Sequence, residues 1–296
     1  MPSTSVIITT KDRPLFLRRA LKSVLNQTVQ PNEIIIVQDG SENDLSDTHE
    51  LPFTNIKIIN NQKSLGGASA RNIGASNASH EILMFLDDDD EWKTKKIEKQ
   101  LSTIKNNKKA GLVYSGREIR TDKNPSQILR RACSRRSGCL FPAILQENYV
   151  GVTSSVAIQS ELFFAAGGFD ENLPCRQDYD LWIRISQLTN IYWDDFYNVL
   201  YTVWTDHKNQ ISKKPEKHPY AASYIISKYA DHIKQLPATN RRSCYAEKWF
   251  SVAKAYRSSN KRRALKYLIR SQKCEPSLRR LGILAPDYFL KKNGII

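Results

Sequence analysis

Residues 82–92 read ILMFLDDDDEW, from Ile82 to Trp92. Five apolar residues in a row suit a strand buried on both faces of a parallel sheet. They run without a spacer into Asp87, Asp88, Asp89 and Asp90. Carboxylates crowded at a strand tip repel and raise one another's pKa unless a cation shares them. An oxygen-only donor set suits Mg²⁺ or Mn²⁺, ions that take one or two carboxylates and complete their shell with water and substrate phosphate. The alternative is a solvated acidic turn capping the helix beyond Trp92. The apolar strand in front of the run favours chemistry.

Working outward, Ser5 to Thr10 is a β-branched run, and Leu15 to Leu25 carries apolar residues at helical spacing. Glu33 to Val37 is another continuous apolar run, ending in Gln38, Asp39 and Gly40. Ile56 to Ile59 reads as a strand and Ala68 to Ala78 as a helix with Arg71 and Asn72 in its early turns. Thr94 to Lys105 reads as a basic-faced helix. Alternating strands and helices imply right-handed βαβ units and a mostly parallel sheet flanked by helices. Such sheets bind ligands beyond the carboxyl ends of their strands, where Asp39 and the aspartate run both fall.

Farther along, strands are expected at 110–115, 153–158, 191–195 and 199–204, and helices at 161–166 and 178–187. The basic stretch 117–137 lacks periodicity and reads as a loop, and Gly167-Gly168-Phe169-Asp170 as a turn. From about Pro219 the pattern is helical throughout, with candidates at 220–235, 240–258, 261–273 and 277–292. These patterns divide the chain into an α/β domain over 1–215 and a helical basic region over 216–296.

The 296 residues carry a formal charge of +15. That excess calls for a polyanionic partner: nucleic acid, an anionic membrane face or a phosphate-bearing substrate. No basic surface interleaved with aromatics and no nucleic-acid motif is visible, so nucleic acid is not expected. A nucleotidyltransferase would need a glycine-rich triphosphate loop near the N-terminus, and none is present. The five cysteines form no CxxC pair and read as reduced thiols. Met1 to Ser5 leads straight into Val6, too briefly for a signal peptide, and no apolar run approaches 18 residues. A cytoplasmic location, at or near the inner face of the membrane, is the expectation.

The stretches SVIITTKDRPLFLRRALKSVLNQT, EIIIVQDGS, GGASARNIG, FLDDDDEW, GGFDE and QDYDLW, in this order over about residues 5–212, resemble a family 2 glycosyltransferase with the GT-A fold. The resemblance implies a metal-dependent, inverting transfer of sugar from a nucleotide diphosphate, with UDP favoured, to a glycan or lipid-linked glycan of the cell surface, such as lipopolysaccharide or capsule. It places Thr9, Thr10 and Arg13 against the nucleotide, Asp39 on the uracil N3–H, and Arg71 on the diphosphate or donor sugar. A surface ion pair is the alternative for Arg71. Asp87 would stand near the ribose and Asp89 on the metal, with Asp88 in the variable place and able to share the ion. In QDYDLW the resemblance makes Asp178 the general base, with Gln177 where the family usually has Glu. Asp180 would stand on the acceptor side, the alternative being that Asp178 and Asp180 cap the helix. Trp182 could line the acceptor cleft, although its helical position suits core packing first. His207 would add a contact to metal or diphosphate.

Beyond the resemblance, Lys261 to Arg270 alternates apolar with basic residues as an amphipathic helix does. It could lie on an anionic leaflet, pack on the catalytic domain with a solvated basic face, or bind a partner or second copy. The rival to an enzyme is a non-catalytic homologue that binds nucleotides or polyanions.

Overall fold

A computed structural model describes residues 1–40, 55–204 and 214–284. The chain divides into two compact units. The first comprises Met1–Leu140, Tyr149–Glu171 and Gln177–Thr205; the second comprises Phe141–Asn148, Asn172–Arg176 and Asp206–Ile296.

In the first unit the order is β1 (Thr4–Thr10), α1 (Pro14–Leu25), β2 (Glu33–Asp39), β3 (Ile56–Asn61), α2 (Gly67–Ser76), β4 (Ile82–Asp87), β5 (Glu91–Trp92), α3 (Lys96–Asn106), β6 (Ala110–Thr121), β7 (Arg130–Ala132), β8 (Val156–Gln159), α4 (Ser160–Ala165), α5 (Gln177–Leu188) and β9 (Asn190–Val203). The sheet order is β3-β2-β1-β4-β8-β6-β9-β5, with β7 paired to β6. Its first half is parallel, as the alternation of strands and helices requires. Beyond β4 it is mixed, because β8 runs antiparallel to both β4 and β6 while β6 and β9 are parallel. The core under one face joins Val6, Ile8, Ile34, Ile36, Met84 and Leu86 of the strands to Leu17, Leu21 and Val24 of α1 and Ile97 and Leu101 of α3. Burying such side chains contributes about 1.5–3 kcal/mol each. That burial holds the parallel strand tips in register.

The stretch 117–137 is not a featureless loop. β6 continues through it to Thr121, and Arg130–Ala132 returns as β7. Periodicity is hidden because the half-buried ladder is charged. Glu118 accepts from Arg131 at 2.9 Å and pairs with Lys93 at 2.7 Å, while Arg120 pairs with Glu91. The two strands expected over 191–204 are one strand with an irregular register against β6. Asp195, at φ +64°, takes up the irregularity as residues of a β-bulge do.

In the second unit the helices are α6 (Lys217–Lys228), α7 (Ala230–Gln235), α8 (Ala238–Tyr256), α9 (Lys261–Cys274) and α10 (Leu278–Leu281). Tyr267 of α9 stacks between Trp249 and Tyr256 of α8, with ring centroids 5.9 and 5.8 Å away. Two short segments from within 1–215 join this unit. The buried Lys248 donates to the Leu145 carbonyl at 2.6 Å, and the Cys244 thiol reaches the same oxygen at 3.0 Å. Sequence boundaries fall between neighbours along the chain, so these insertions are visible only once tertiary contacts are formed. No helix among the described residues is long and apolar enough to cross a membrane.

Candidate active site

β1 and β4 lie side by side, with Thr9 opposite Asp87 at their carboxyl ends. The pleat and the turn after β4 then send the four aspartates into four different environments. Asp87 stays partly exposed and pairs with Arg71 at 2.5 Å. Asp88 turns inward, fully buried, to accept the Thr10 hydroxyl at 2.7 Å and pair with Arg13 at 2.5 Å. Asp89, about one-fifth exposed (21%), receives Arg13 at 3.2 Å, and Asp90, buried, accepts the Ser154 hydroxyl at 2.6 Å. Burial pushes Asp88 up to about 7, against the pull of Arg13, and drives Asp90 well above the usual carboxylate range.

This arrangement revises two expectations. Asp88 and Thr10 are bonded to each other inside the protein, and Asp88 also pairs with Arg13, so both hold the base of the turn instead of standing open at its edge. Thr9, half-buried at the strand tip, and Arg13, about one-third exposed (35%), remain at its edge.

Asp178, half-buried in the first turn of α5, accepts its neighbour's Tyr179 amide at 2.7 Å. Burial raises its pKa, Arg71 and Arg117 pull it back, and Asp87 pushes it up. These influences place Asp178, Asp87, Arg71 and Arg117 in one electrostatic neighbourhood. Gln177 is the first residue of α5. Asp180 belongs to the interior instead of the acceptor side, and Trp182 takes the core place that its helical position suits. Asp180 is fully buried and bound to Arg184 at 2.7 Å. Trp182, one turn below Asp178, is fully buried with its indole N–H on the Gly151 carbonyl at 3.2 Å and its ring edge-on to Phe169.

Arg71 and Asn72, consecutive in α2, connect these pieces. Arg71 is nearly buried, with its guanidinium 5.5 Å from the Phe169 ring centroid, so its pair with Asp87 is an interior one and not a surface one. Asn72 clamps the glycine turn, accepting the Phe169 amide and donating to the Phe169 carbonyl, each at 2.9 Å, and reaching Glu171 at 2.8 Å. Gly168 sits at φ +65°, where a Cβ would stand 2.8 Å from Asn72 Oδ1, so this close approach requires glycine.

Asp39 carries a different load from the one expected. Its carboxylate accepts from the amides of Leu65 and Gly66 at 2.8 and 2.9 Å, from Ser64 Oγ at 2.8 Å and from Asn61 Nδ2 at 3.2 Å. Four donors occupy the four lone-pair positions of a carboxylate. A uracil N3–H would have to displace one of them, and in this structure Asp39 anchors the loop that leads into α2.

Ser154, Arg117 and Tyr201 are neighbours of these carboxylates that the sequence does not single out, and it names Asn72 without a role. Ser154 both caps Asp90 and accepts the Asp87 amide at 3.1 Å, yet nothing in TSSVAI marks it. Tyr201, raised by burial and by the nearby Asp90, faces the same carboxylates from β9. His207 lies outside the described residues. Among the described residues no three His, Cys, Asp or Glu side chains gather to hold a metal. The partly exposed Asp87 and Asp89 fit the other mode, in which one or two carboxylates hold Mg²⁺ or Mn²⁺ together with substrate phosphates.

The profile of Glycosyl transferase family 2 matches residues 5–161, just over half of the chain, from β1 into α4. The chain belongs to this family. It is 35% identical over 200 residues to the uncharacterized glycosyltransferase RT0329 of Rickettsia typhi (strain ATCC VR-144 / Wilmington), covering 65% of this chain and 61% of that one. An uncharacterized glycosyltransferase of Rickettsia bellii (strain RML369-C) is 30% identical over 243 residues, covering 78% of this chain and 34% of the other. This family 2 chain thus spans between about a third and three-fifths of the length of these curated relatives. Among solved structures, S. aureus TarS 1-349 in complex with UDP-GlcNAc superposes with a TM-score of 0.67 at 15% identity, over 98% of this chain and 87% of that one. The shared architecture is the GT-A fold.

Proposed function

We propose that this family 2 chain transfers a sugar from a nucleotide diphosphate, with UDP as the nucleotide, to a hydroxyl of a glycan or lipid-linked glycan in cell-surface polysaccharide synthesis such as lipopolysaccharide or capsule, with inversion at the anomeric carbon. One observation carries the reading: a carboxylate with a raised pKa, Asp178, shares an electrostatic neighbourhood with a partly exposed carboxylate pair, Asp87 and Asp89, and with Arg71. Inverting transfer needs a base to take the acceptor hydroxyl's proton, and a separate group to meet the charge left on the departing diphosphate. Asp178 supplies the first, and its raised pKa makes it a better proton acceptor than an ordinary carboxylate. Asp89, with Asp87 beside it, would hold Mg²⁺ or Mn²⁺, which supplies charge neutralisation at the diphosphate. Arg71, buried against Phe169, orients Asp87. The UDP-GlcNAc complex of TarS supports the choice of a UDP-sugar.

The α9–α10 surface of the second unit supports an acceptor held at an anionic leaflet. Residues 261–284 contain eight Lys or Arg and one Glu. Leu265, Ile269 and Leu278 stand exposed among them, Leu278 at 86%. Apolar side chains ringed by basic ones suit the boundary between headgroup and acyl chain. Co-sedimentation with phosphatidylglycerol vesicles, reversed by salt, is the expected result.

Calorimetric titration with UDP, GDP and dTDP, each with Mn²⁺ and with EDTA, tests the transfer reading. Metal-dependent binding of UDP is expected. Binding of none of the three would overturn it, and binding without turnover of any UDP-sugar would leave a non-catalytic nucleotide-binding homologue.

A further inference from the structure

Crowded aspartates call for a cation to share them, and the chain supplies several of its own. Arg71 pairs with Asp87 at 2.5 Å, Arg13 with Asp88 at 2.5 Å and with Asp89 at 3.2 Å, and Arg19 with Glu91 at 2.8 Å. Asp90 takes the Ser154 hydroxyl. Arg13 reaches two carboxylates with one fork: Nη2 meets Asp88 Oδ1 and Nη1 meets Asp89 Oδ2. The Asp89 arm is the longest of these ion pairs and the easiest to give up.

Arg13 is held at both ends. Its carbonyl accepts the Phe16 and Leu17 amides at 3.1 and 3.0 Å at the start of α1. Its guanidinium lies 5.7 Å from the Phe16 ring centroid, and Phe16 stacks on Trp204 with centroids 4.2 Å apart. Arg19, 5.4 Å from the Trp204 centroid, donates to the Asp89 carbonyl at 2.9 Å. One aromatic stack thus backs both arginines that hold Asp89, Arg13 by its carboxylate and Arg19 by its backbone. A divalent ion on Asp89 must share that carboxylate with Arg13, and two positive charges a few ångströms apart oppose one another.

We propose that Arg13 is a built-in counter-ion that competes with the divalent ion for Asp89 and so makes metal uptake depend on the nucleotide. The proposal deepens the transfer reading and rests on its assignment of Mg²⁺ or Mn²⁺ to Asp89. Asp87, Asp88 and Asp89 already have cationic partners, so a bare ion gains little there. A nucleoside diphosphate carries negative charge in with the ion and offsets the opposition of Arg13. Ion and nucleotide then strengthen each other's binding by the same factor.

The test is Mn²⁺ binding by the full chain, read from the loss of the free-ion EPR signal, without nucleotide and with saturating UDP. Arg13→Gln should bind Mn²⁺ alone about fivefold more tightly than wild type, the upper end for an ion pair this exposed. The tightening that UDP brings should shrink by a similar factor. Adding Asp89→Asn to Arg13→Gln should remove the gain. Arg13→Lys keeps charge at Asp88 but lacks the second arm of the fork, so it should gain about twofold, and it takes over the test if the Gln variant does not fold. Lys11→Gln removes an exposed charge two residues away and should leave Mn²⁺ affinity within about twofold. An equal gain in Lys11→Gln, or Mn²⁺ affinity unchanged or lowered in folded Arg13 variants, overturns the proposal while Mn²⁺-dependent UDP binding leaves the transfer reading standing. Absence of Mn²⁺ binding by wild type even with UDP overturns the metal assignment and the proposal together.

Discussion

Replacing Asp178 with Asn separates the proposed base from the donor site. The amide oxygen can still accept the Tyr179 N–H that the carboxylate holds at 2.7 Å, so the first turn of α5 keeps its local hydrogen bond. What disappears is a proton acceptor whose affinity for a proton is raised by burial. A positioned general base contributes about 10²–10⁴-fold to rate, or roughly 3–5 kcal/mol of barrier, and kcat should fall by that range. UDP affinity with Mn²⁺ should change by less than about threefold, because Asp178 contributes to the acceptor's proton transfer and not to nucleotide contact. Stability should hold or rise. A carboxyl whose folded pKa lies above its unfolded value lowers stability as pH climbs through that interval, and at neutral pH the Asn variant is free of this cost. Losing a negative charge near a helix N-terminus opposes the gain by about 0.3–1 kcal/mol. The assay is single-turnover transfer from a UDP-sugar, with calorimetry for UDP and a urea melt on the same preparation. In the wild type the rate should also climb with pH through an apparent pKa above that of a free carboxylate. A drop in UDP affinity as large as the drop in kcat, or a kcat within threefold of wild type, would refute the assignment.

Asp89→Asn should abolish most of the Mn²⁺-dependent part of UDP binding and leave binding in EDTA unaltered; unchanged Mn²⁺ dependence would move the metal away from Asp89. Gly168→Ala should cost about 1–3 kcal/mol in a urea melt, because it combines positive φ with a Cβ placed 2.8 Å from Asn72 Oδ1. It should also lower kcat by loosening the turn before α5, and a variant as stable and active as wild type would show the turn to be tolerant. Lys248, pushed down to about 8 by burial, has a folded pKa below its unfolded value of about 10.5. Its folded form releases the proton first, so stability should rise between about pH 8 and 10.5 by an amount on the order of 3 kcal/mol. Lys248→Met should flatten that rise, and a pH-stability slope identical in the two proteins would contradict it.

Much of the site was legible in one dimension because its determinants are local. An apolar run that stops at an acidic run defines both a buried strand and its exposed tip, and ILMFL-DDDD states this without help from distant residues. The same holds for the acidic first turn of α5 and for the paired glycines before it, whose positive φ the structure bears out. Which of four consecutive aspartates faces solvent was not legible. Identical residues carry no internal distinction, and Thr10, Arg13, Arg71 and Ser154, distant in the chain, divide the run among them. Asp180 was misplaced for a related reason, since a polar residue reads as exposed until a distant or helical partner, here Arg184, satisfies it inside, whereas the core reading of Trp182 follows from its helical position.

The amino-acid sequence alone determined the βαβ order, the buried parallel strands and the place along the chain where acid chemistry concentrates, because these follow from period, apolar run length and backbone preference over a few residues. Tertiary structure alone decided that 117–121 continues a strand, that Asp39 anchors a loop, and that the charge of Arg117 is felt by Asp178 while Arg131 is neutralised by Glu118. Each of these depends on which strand pairs with which and in what register, and a shift of one residue would exchange the two faces of β6.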